Sequence, residues 1–348
     1  MGVLRLDHIE RFYATIERQP VDRPASWLGI PDPRSFDGLF SYFQTKDLIE
    51  TKKQIDDDVF PVEIPYHSPT SNAIYTALNF SKRGNGKPDE RTLTAPGFFE
   101  DYSDPSRIDE FDWPDPSRYI DPDECRRVVD EVPKGYAVLG VVWSAHFQDA
   151  CSAFGMETAL VKMITEPEMF KAVIDRILEF YLKANEIFYE NTKGKLHAVL
   201  IGNDFGSQTG LMVSPESLRE FVFPGTRKLI EQAKSYGLKV IHHSCGSIYS
   251  VIPDLIEAGA DVIHPIQALA KDMEPRKLKE SFGDRVAFCG GVDAQNLLVN
   301  GTPQEVREKV LELKEIFPTG LIISPSHEAI LPDIPPENIE ALFKAVKE

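Results

Sequence analysis

The sequence is short of positive charge: 38 lysines and arginines stand against 55 aspartates and glutamates, a formal net charge of -17. Phosphate backbones and anionic membrane surfaces would be repelled, which excludes nucleic acid and lipid headgroups as general partners. Cysteine is equally scarce. Four of them (Cys125, Cys151, Cys245, Cys289) in 348 residues make no disulfide framework. No run approaches the roughly 20 apolar residues of a membrane span. The opening residues hold no apolar core of signal-peptide length, so the expected location is the cytoplasm. No Gly-x-Gly-x-x-Gly follows the first strand candidate, which removes the dinucleotide-binding fingerprint. What is present, 42% hydrophobic and 27% charged residues, describes an ordinary globular protein with room for a large core.

Apolar periodicity divides the chain. Leu4 to Ile16 has helical spacing and ends before Pro20 and Pro24. Eight short apolar runs read as strands: near 25–30, 58–63, 137–143, 198–203, 239–243, 261–264, 286–289 and 321–324. Most are followed by a helical pattern, among them Gly155 to Ile164, Glu166 to Tyr189 with Thr165 as cap, Ser214 to Ala233, and Ser247 to Ala258. Residues 66–116 depart from this rhythm. They carry a hairpin signal around Gly84-Asn85-Gly86 and many Asp-Pro pairs, a polar excursion without a core of its own. The count predicts a (β/α)8 TIM barrel filling residues 1–348 as one domain, with an N-terminal helical extension and a hairpin-containing insertion before the third strand.

In such barrels chemistry gathers at the C-terminal strand ends. Those ends carry Asp32, Glu63, Trp143 with His146, Asn203 with Asp204, His243 with Cys245, His264 with Gln267, Asp293, and His327 with Glu328. His243 and Cys245 lie two apart on an extended segment, so both side chains point the same way, with His242 opposite. Imidazole and thiolate together suit zinc, whereas calcium and magnesium want oxygen. A single His-x-Cys is a weak pattern, and Asp204 or Asp293 alone could serve a turn. The concentration of ligand types around one rim is what favours a site.

These residues also carry a resemblance. Pro20-Val21-Asp22-Arg23-Pro24, Asn203-Asp204-Phe205-Gly206, Ser214-Pro215 with Glu220-Phe221 and Pro224, Gly290-Gly291-Val292-Asp293, and the tail from Pro332-Asp333 resemble the uroporphyrinogen decarboxylase superfamily over nearly the whole chain. His243-x-Cys245-Gly246 is similar to the zinc motif of its cobalamin-linked methyltransferase branch. The decarboxylase proper uses an arginine-rich loop with a Gly-Arg pair, whereas Ile30-Pro31-Asp32-Pro33-Arg34 has one arginine. Members that methylate thiols such as coenzyme M carry a cysteine shortly before the last helix. Counting back without gaps from Pro332-Asp333, that position here is Glu328, with His327 beside it and Cys289 as a further candidate.

The resemblance implies a zinc-dependent methyltransferase that moves a methyl group between a corrinoid protein and a thiol or folate-type acceptor. His243 and Cys245 would hold the metal, with Glu328 or His327 completing it. Asp204 would orient the acceptor or a ligand, and Trp143, His146, Asn203, Gln267 and Asp293 would line the pocket. The methylcobamide would arrive on a partner protein, because no Asp-x-His-x-x-Gly is present. Losing one sulfur makes the zinc more Lewis-acidic, which leaves the acceptor's identity open. Two alternatives stand beside this: a metal-free decarboxylase of a tetrapyrrole or smaller acid, and a non-catalytic barrel that carries a corrinoid or tetrapyrrole.

Overall fold

The computed structural model describes residues 5–81 and 95–348. Within them run nine strands: β1 (Ile30–Pro31), β2 (Val59–Glu63), β3 (Ala137–Trp143), β4 (Ala198–Gly202), β5 (Lys239–His243), β6 (Val262–Ile266), β7 (Ala287–Val292), β8 (Leu321–Pro325) and β9 (Ala329–Ile330). β2 to β8 form one parallel sheet in strict chain order, and β1 pairs in parallel with β9. The sheet curls into a (β/α)8 barrel, with helices such as Pro167–Asn191, Phe223–Ser235 and Pro303–Ile316 between strands.

Period-two alternation decides what fills it. Val59, Leu139, Val141, Leu200, Ile241, Val262, Cys289 and Ile322 pack together inside, while Val240, Ile263 and Phe288 face the helices. Phe12 and Ile16 of the helix His8–Ile16 join the interior cluster and plug the N-terminal end of the barrel. That helix starts at His8 instead of Leu4, because Asp7 accepts from the Glu10 N–H in a capping box.

The expected strand at 25–30 closes the barrel in reduced form. On one side Ile323 N donates to Ala25 O at 2.9 Å and Trp27 N to Ile323 O at 3.1 Å. Against the entry to β2 one backbone bond remains, Asp58 N to Ser26 O at 3.2 Å, and side chains supply the rest. Ser26 N donates to Asp58 Oδ2 at 2.8 Å and Leu28 N to Asp57 Oδ2 at 3.0 Å. Two buried carboxylates thus stitch the seam, and the lysine of a buried Lys52–Asp57 pair holds one of them in place.

Several local expectations shift for stated reasons. Thr165 ends the helix Met156–Thr165, so it does not cap the next, which begins at Pro167 after Glu166. Ser214 caps as expected, accepting from Ser217 N, but Leu218–Val222 is a π-turn before Phe223–Ser235. Pro224 has no N–H to continue the i→i−4 ladder there. After β5 the α-helix is delayed to Ile252–Ala258, behind a 3₁₀ turn at Tyr249–Val251. The helix His146–Phe154, with no clear signature in the sequence, packs against the helices Met156–Thr165 and Pro167–Asn191. The hairpin around Gly84–Gly86 falls outside the described residues. Around it the excursion is less polar than its sequence reads: Phe80 and Phe99 are buried among Phe111, Trp113 and Phe154. Among the described residues no helix is long and apolar enough to cross a membrane.

Candidate metal centre

His243 is the inward-facing last residue of β5, and four side chains converge on its ring. Nε2 lies 3.3 Å from Asp204 Oδ1 and 3.4 Å from Cys245 Sγ. Nδ1 lies 3.0 Å from His264 Nδ1 and 3.4 Å from Glu328 Oε2. The Trp143 indole stands edge-on at 5.8 Å between ring centroids. His242 faces the other way, stacked on Phe205, as period-two alternation requires.

The loop geometry holds these atoms in place. Asp204 Oδ1 accepts the Cys245 N–H at 2.8 Å, and Gln267 Oε1 accepts the Gly246 N–H at 2.6 Å. The segment after β4 and the residue after β6 therefore both grip the turn that carries Cys245. Trp143 and Ser144 are consecutive non-glycine residues with positive φ, 52° and 57°. Each such conformation costs on the order of 1–3 kcal/mol. Buried Asn185 offsets it by donating to Ser144 Oγ at 3.0 Å, and the result aims the indole at His243.

Charge follows from this packing. Burial would pull the His243 imidazole down, but Glu328, Asp204 and Cys245 together push it well above its ordinary range. Burial would raise the Cys245 thiol, yet hydrogen bonds from His243 and His327 bring it below the usual value. Asp204, despite the cost of burial, is held far below the ordinary carboxylate range by His243 and by the Cys245 N–H. Burial and the neighbouring His243 drive His264 well below normal, so it is the neutral member of the pair. His327 Nδ1 accepts the Ala329 N–H at 3.0 Å, so a neutral His327 ring carries its proton on Nε2.

The donors fall into two groups, Asp204–His243–Cys245 and His243–His264–Glu328, each with ligand atoms within 4.8 Å of one another. Of the residues expected to bind metal, His243, Cys245 and Glu328 are present in these groups. His327 is in neither and bonds Cys245 instead. In the sequence His264 is only a strand-end residue, and its direct contact with His243 follows from the adjacent register of β5 and β6.

The expected pocket-lining residues divide differently. Trp143 and Gln267 sit at the centre as described. His146 is 0% exposed, with Nδ1 at 3.2 Å from Ser144 O and Nε2 at 3.1 Å from Val222 O. Asn203 is also buried, accepting the Phe147 N–H at 2.7 Å. Asn203 Nδ2 also lies 3.3 Å from His146 Nδ1, so the two side chains are buried together at the start of the helix His146–Phe154, away from the mouth. Asp293 accepts from the N–H groups of Gln295, Asn296 and Leu297, and Asp32 holds Arg34 and its turn. Cys289 points into the barrel interior, where burial raises its thiol to about 12 and Ser324 Oγ is 3.5 Å away. Replacing Cys289 by alanine is expected to leave the bound-metal content of the purified protein unchanged, with stability shifting by about 1 kcal/mol. Elemental analysis and a thermal melt check both.

Residues 92–348 match the family model for uroporphyrinogen decarboxylase (URO-D). A methylated-thiol–coenzyme M methyltransferase of Methanosarcina mazei is 26% identical over 276 residues, 75% of this chain and 66% of the relative. A uroporphyrinogen decarboxylase of Gloeobacter violaceus is 25% identical over 230 residues, 64% of this chain and 61% of that protein. The chain thus spans a little under two thirds of the length of these two curated relatives. A solved methyltransferase from Methanosarcina mazei superposes with a TM-score of 0.68 at 16% identity, covering 98% of both chains, which establishes the shared fold. Since the matched segment takes in β3 to β8 and every donor around His243, the chain belongs to the uroporphyrinogen decarboxylase family.

Proposed function

We propose that this protein is a zinc-dependent methyltransferase moving a methyl group between a corrinoid protein and a thiol or folate-type acceptor. The observation that carries the reading is the gathering of imidazole, thiol and carboxylate donors around His243 at the C-terminal end of a barrel. One nitrogen, one sulfur and one oxygen within 4.8 Å of one another match a four-coordinate zinc with metal–ligand distances of about 2.0–2.3 Å. On the other side of the ring, Glu328 Oε2 lies buried 3.4 Å from His243 Nδ1 and has no hydrogen bond among the described residues. Similarity to a methyltransferase over three quarters of the chain supports methyl transfer as the reaction class.

Bound there, zinc would ligate the acceptor thiol and lower its pKa. The chain's own residues do the rest. Gln267 and Asp204 hold the turn that presents Cys245. His327 supplies the proton that the Cys245 sulfur accepts, keeping that thiol below its ordinary value. Trp143 packs against the His243 ring, and its buried indole N–H has no hydrogen-bond partner among the described residues.

The decarboxylase reading is weaker at the same site. A polycarboxylate substrate needs unpaired cations, and Arg34 is committed to Asp32 through two bonds of 2.9 Å.

Metal analysis of wild type and Cys245→Ala, followed by methylcobalamin turnover with a panel of thiols, tests the proposal. The expected result is near-stoichiometric zinc in the wild type, little in the variant, and thiol-dependent loss of the methylcobalamin spectrum in the wild type alone. A wild type that stays metal-free after reconstitution would overturn it.

A further inference from the structure

The two nitrogens of His243 point to opposite sides of its ring, and each faces a different set of donors. Asp204 and Cys245 lie on the Nε2 side, at 3.3 and 3.4 Å. His264 and Glu328 lie on the Nδ1 side, at 3.0 and 3.4 Å. Cys245 and Glu328 share no donor group, although gapless counting from the tail pairs them as ligands of one ion. One ion cannot occupy both sides of an imidazole.

We infer that the metal of the proposed centre sits on the Nε2 side, bound by His243, Cys245 and Asp204, and that Glu328 is a positioning residue behind His243. The inference rests on the zinc reading and deepens it. Three observations favour the Nε2 side. Among the described residues it alone carries a sulfur donor. It is also the open side: the Asp204 side chain is 43% exposed, against 12% for Glu328 and 0% for His264. A catalytic site needs a fourth position that substrate can reach, and the closed side offers none. Finally, a metal-binding imidazole characteristically donates its other N–H to a carboxylate or similar acceptor, which fixes ring and tautomer. Nδ1 faces such acceptors in His264 Nδ1 at 3.0 Å and Glu328 Oε2 at 3.4 Å, and among the described residues that oxygen has no hydrogen-bond partner to compete for it.

Asp204 is well placed to serve as third donor. Its Oδ1 is tied to the Cys245 N–H at 2.8 Å, so carboxylate and thiol are held in one rigid unit. An oxygen from the segment after β4 therefore takes the place that a cysteine after β8 has in the thiol-methylating members.

The test uses cobalt(II) and zinc on wild type, Asp204→Asn and Glu328→Gln. Asparagine keeps an acceptor for the Cys245 N–H, and glutamine keeps the shape of Glu328. The expected result is that Asp204→Asn alters the cobalt ligand-field bands and loses zinc affinity by more than about 100-fold. Glu328→Gln should keep the bands of the wild type while losing about 10–100-fold, the usual effect of removing an outer partner. Cysteine substitution guards against misfolding as an explanation. Asp204→Cys should raise the cobalt–thiolate charge-transfer intensity about two-fold, one increment per sulfur bound, and Glu328→Cys should not. Changed bands in Glu328→Gln with unchanged bands in Asp204→Asn would overturn the inference, as would doubled intensity in Glu328→Cys alone. Failure of the wild type to bind either metal is a different outcome: it removes the zinc reading, and this assignment with it.

Discussion

Replacing Asp58 by alanine is expected to lower the unfolding free energy by about 3–5 kcal/mol, the cost of stripping one partner from a buried ion pair. Asp58 is 0% exposed. Arg11 Nη1 and Arg23 Nη1 each approach it at 2.7 Å, and His8 Nδ1 and the Ser26 N–H at 2.8 Å. Without it, two guanidiniums that are 7% and 9% exposed face each other with their common counter-charge gone. The Ser26 N–H loses its acceptor at the seam where residues 25–28 meet β2. The damage is thus to barrel closure, at the end opposite the candidate metal centre. Urea unfolding at neutral pH measures it. Asp58→Asn, which keeps an acceptor for Ser26 but no charge, should fall between the two.

The same carboxylate sets an acid limit. Burial alone would raise the Asp58 pKa, but the contacts with His8, Arg23 and Arg11 outweigh it, and the folded value lies below normal. Asp22, hydrogen-bonded to Arg11, is held at about 2 against the opposing effect of its burial. A depressed folded pKa contributes stability that is complete above the unfolded value, about 3.9, and is lost as pH falls through that value toward the folded one. The wild type should therefore lose stability below about pH 4, and Asp58→Ala should show a shallower slope there. Equal slopes would mean that Asp58 is not a source of the acid sensitivity.

This network also explains a sequence motif that looks functional and is not part of the mouth. Asp22 and Arg23, in the Pro-Val-Asp-Arg-Pro stretch, bond Arg11, Asp56 and Asp58 at the bottom of the barrel. The strands were legible because buried parallel strands leave near-continuous apolar runs, and β3 and β4 are such runs. His243 and Cys245 were legible because alternation along an extended segment is local. His146 and Asn203 were misplaced for the converse reason. Nearness to a strand end does not say whether a side chain turns to the mouth or under the following helix, and here both turn under. The split of donors between the two faces of His243 depends on how β4, β6 and the loop after β8 approach one ring. No pairwise spacing in the chain encodes that. The positive φ of Trp143 and Ser144 is likewise invisible, since neither residue type announces it.

Gly246→Ala is expected to weaken zinc binding by about 10–100-fold, an effect of the size seen when a ligand's support is disturbed. Gly246 has φ of +80°, where an L side chain costs about 1–3 kcal/mol. A Cβ there would also lie 2.6 Å from Gly206 C and 2.7 Å from Ser207 O. The reverse contact is as tight, since a Cβ on Gly206 would come within 2.8 Å of Cys245 O. Two glycines thus let the segment after β4 lie flat on the His-x-Cys-Gly turn. That contact carries Ser247 N to Ser207 O at 2.8 Å, Phe205 N to Ser244 Oγ at 3.0 Å, and Cys245 N to Asp204 Oδ1 at 2.8 Å. Forcing the segments apart moves Asp204 away from Cys245, and a four-coordinate site tolerates little of that. Gly210, in the same loop, has nothing within 4 Å of its would-be Cβ. Gly210→Ala should therefore leave zinc affinity unchanged and stability within about 0.5 kcal/mol. Competition against a chromophoric chelator measures both variants. Wild-type affinity in Gly246→Ala would show that the donors are held by the strands alone. A selective loss in Gly246→Ala would locate the precision of the centre in this loop–turn contact, which is where a glycine after the cysteine is required.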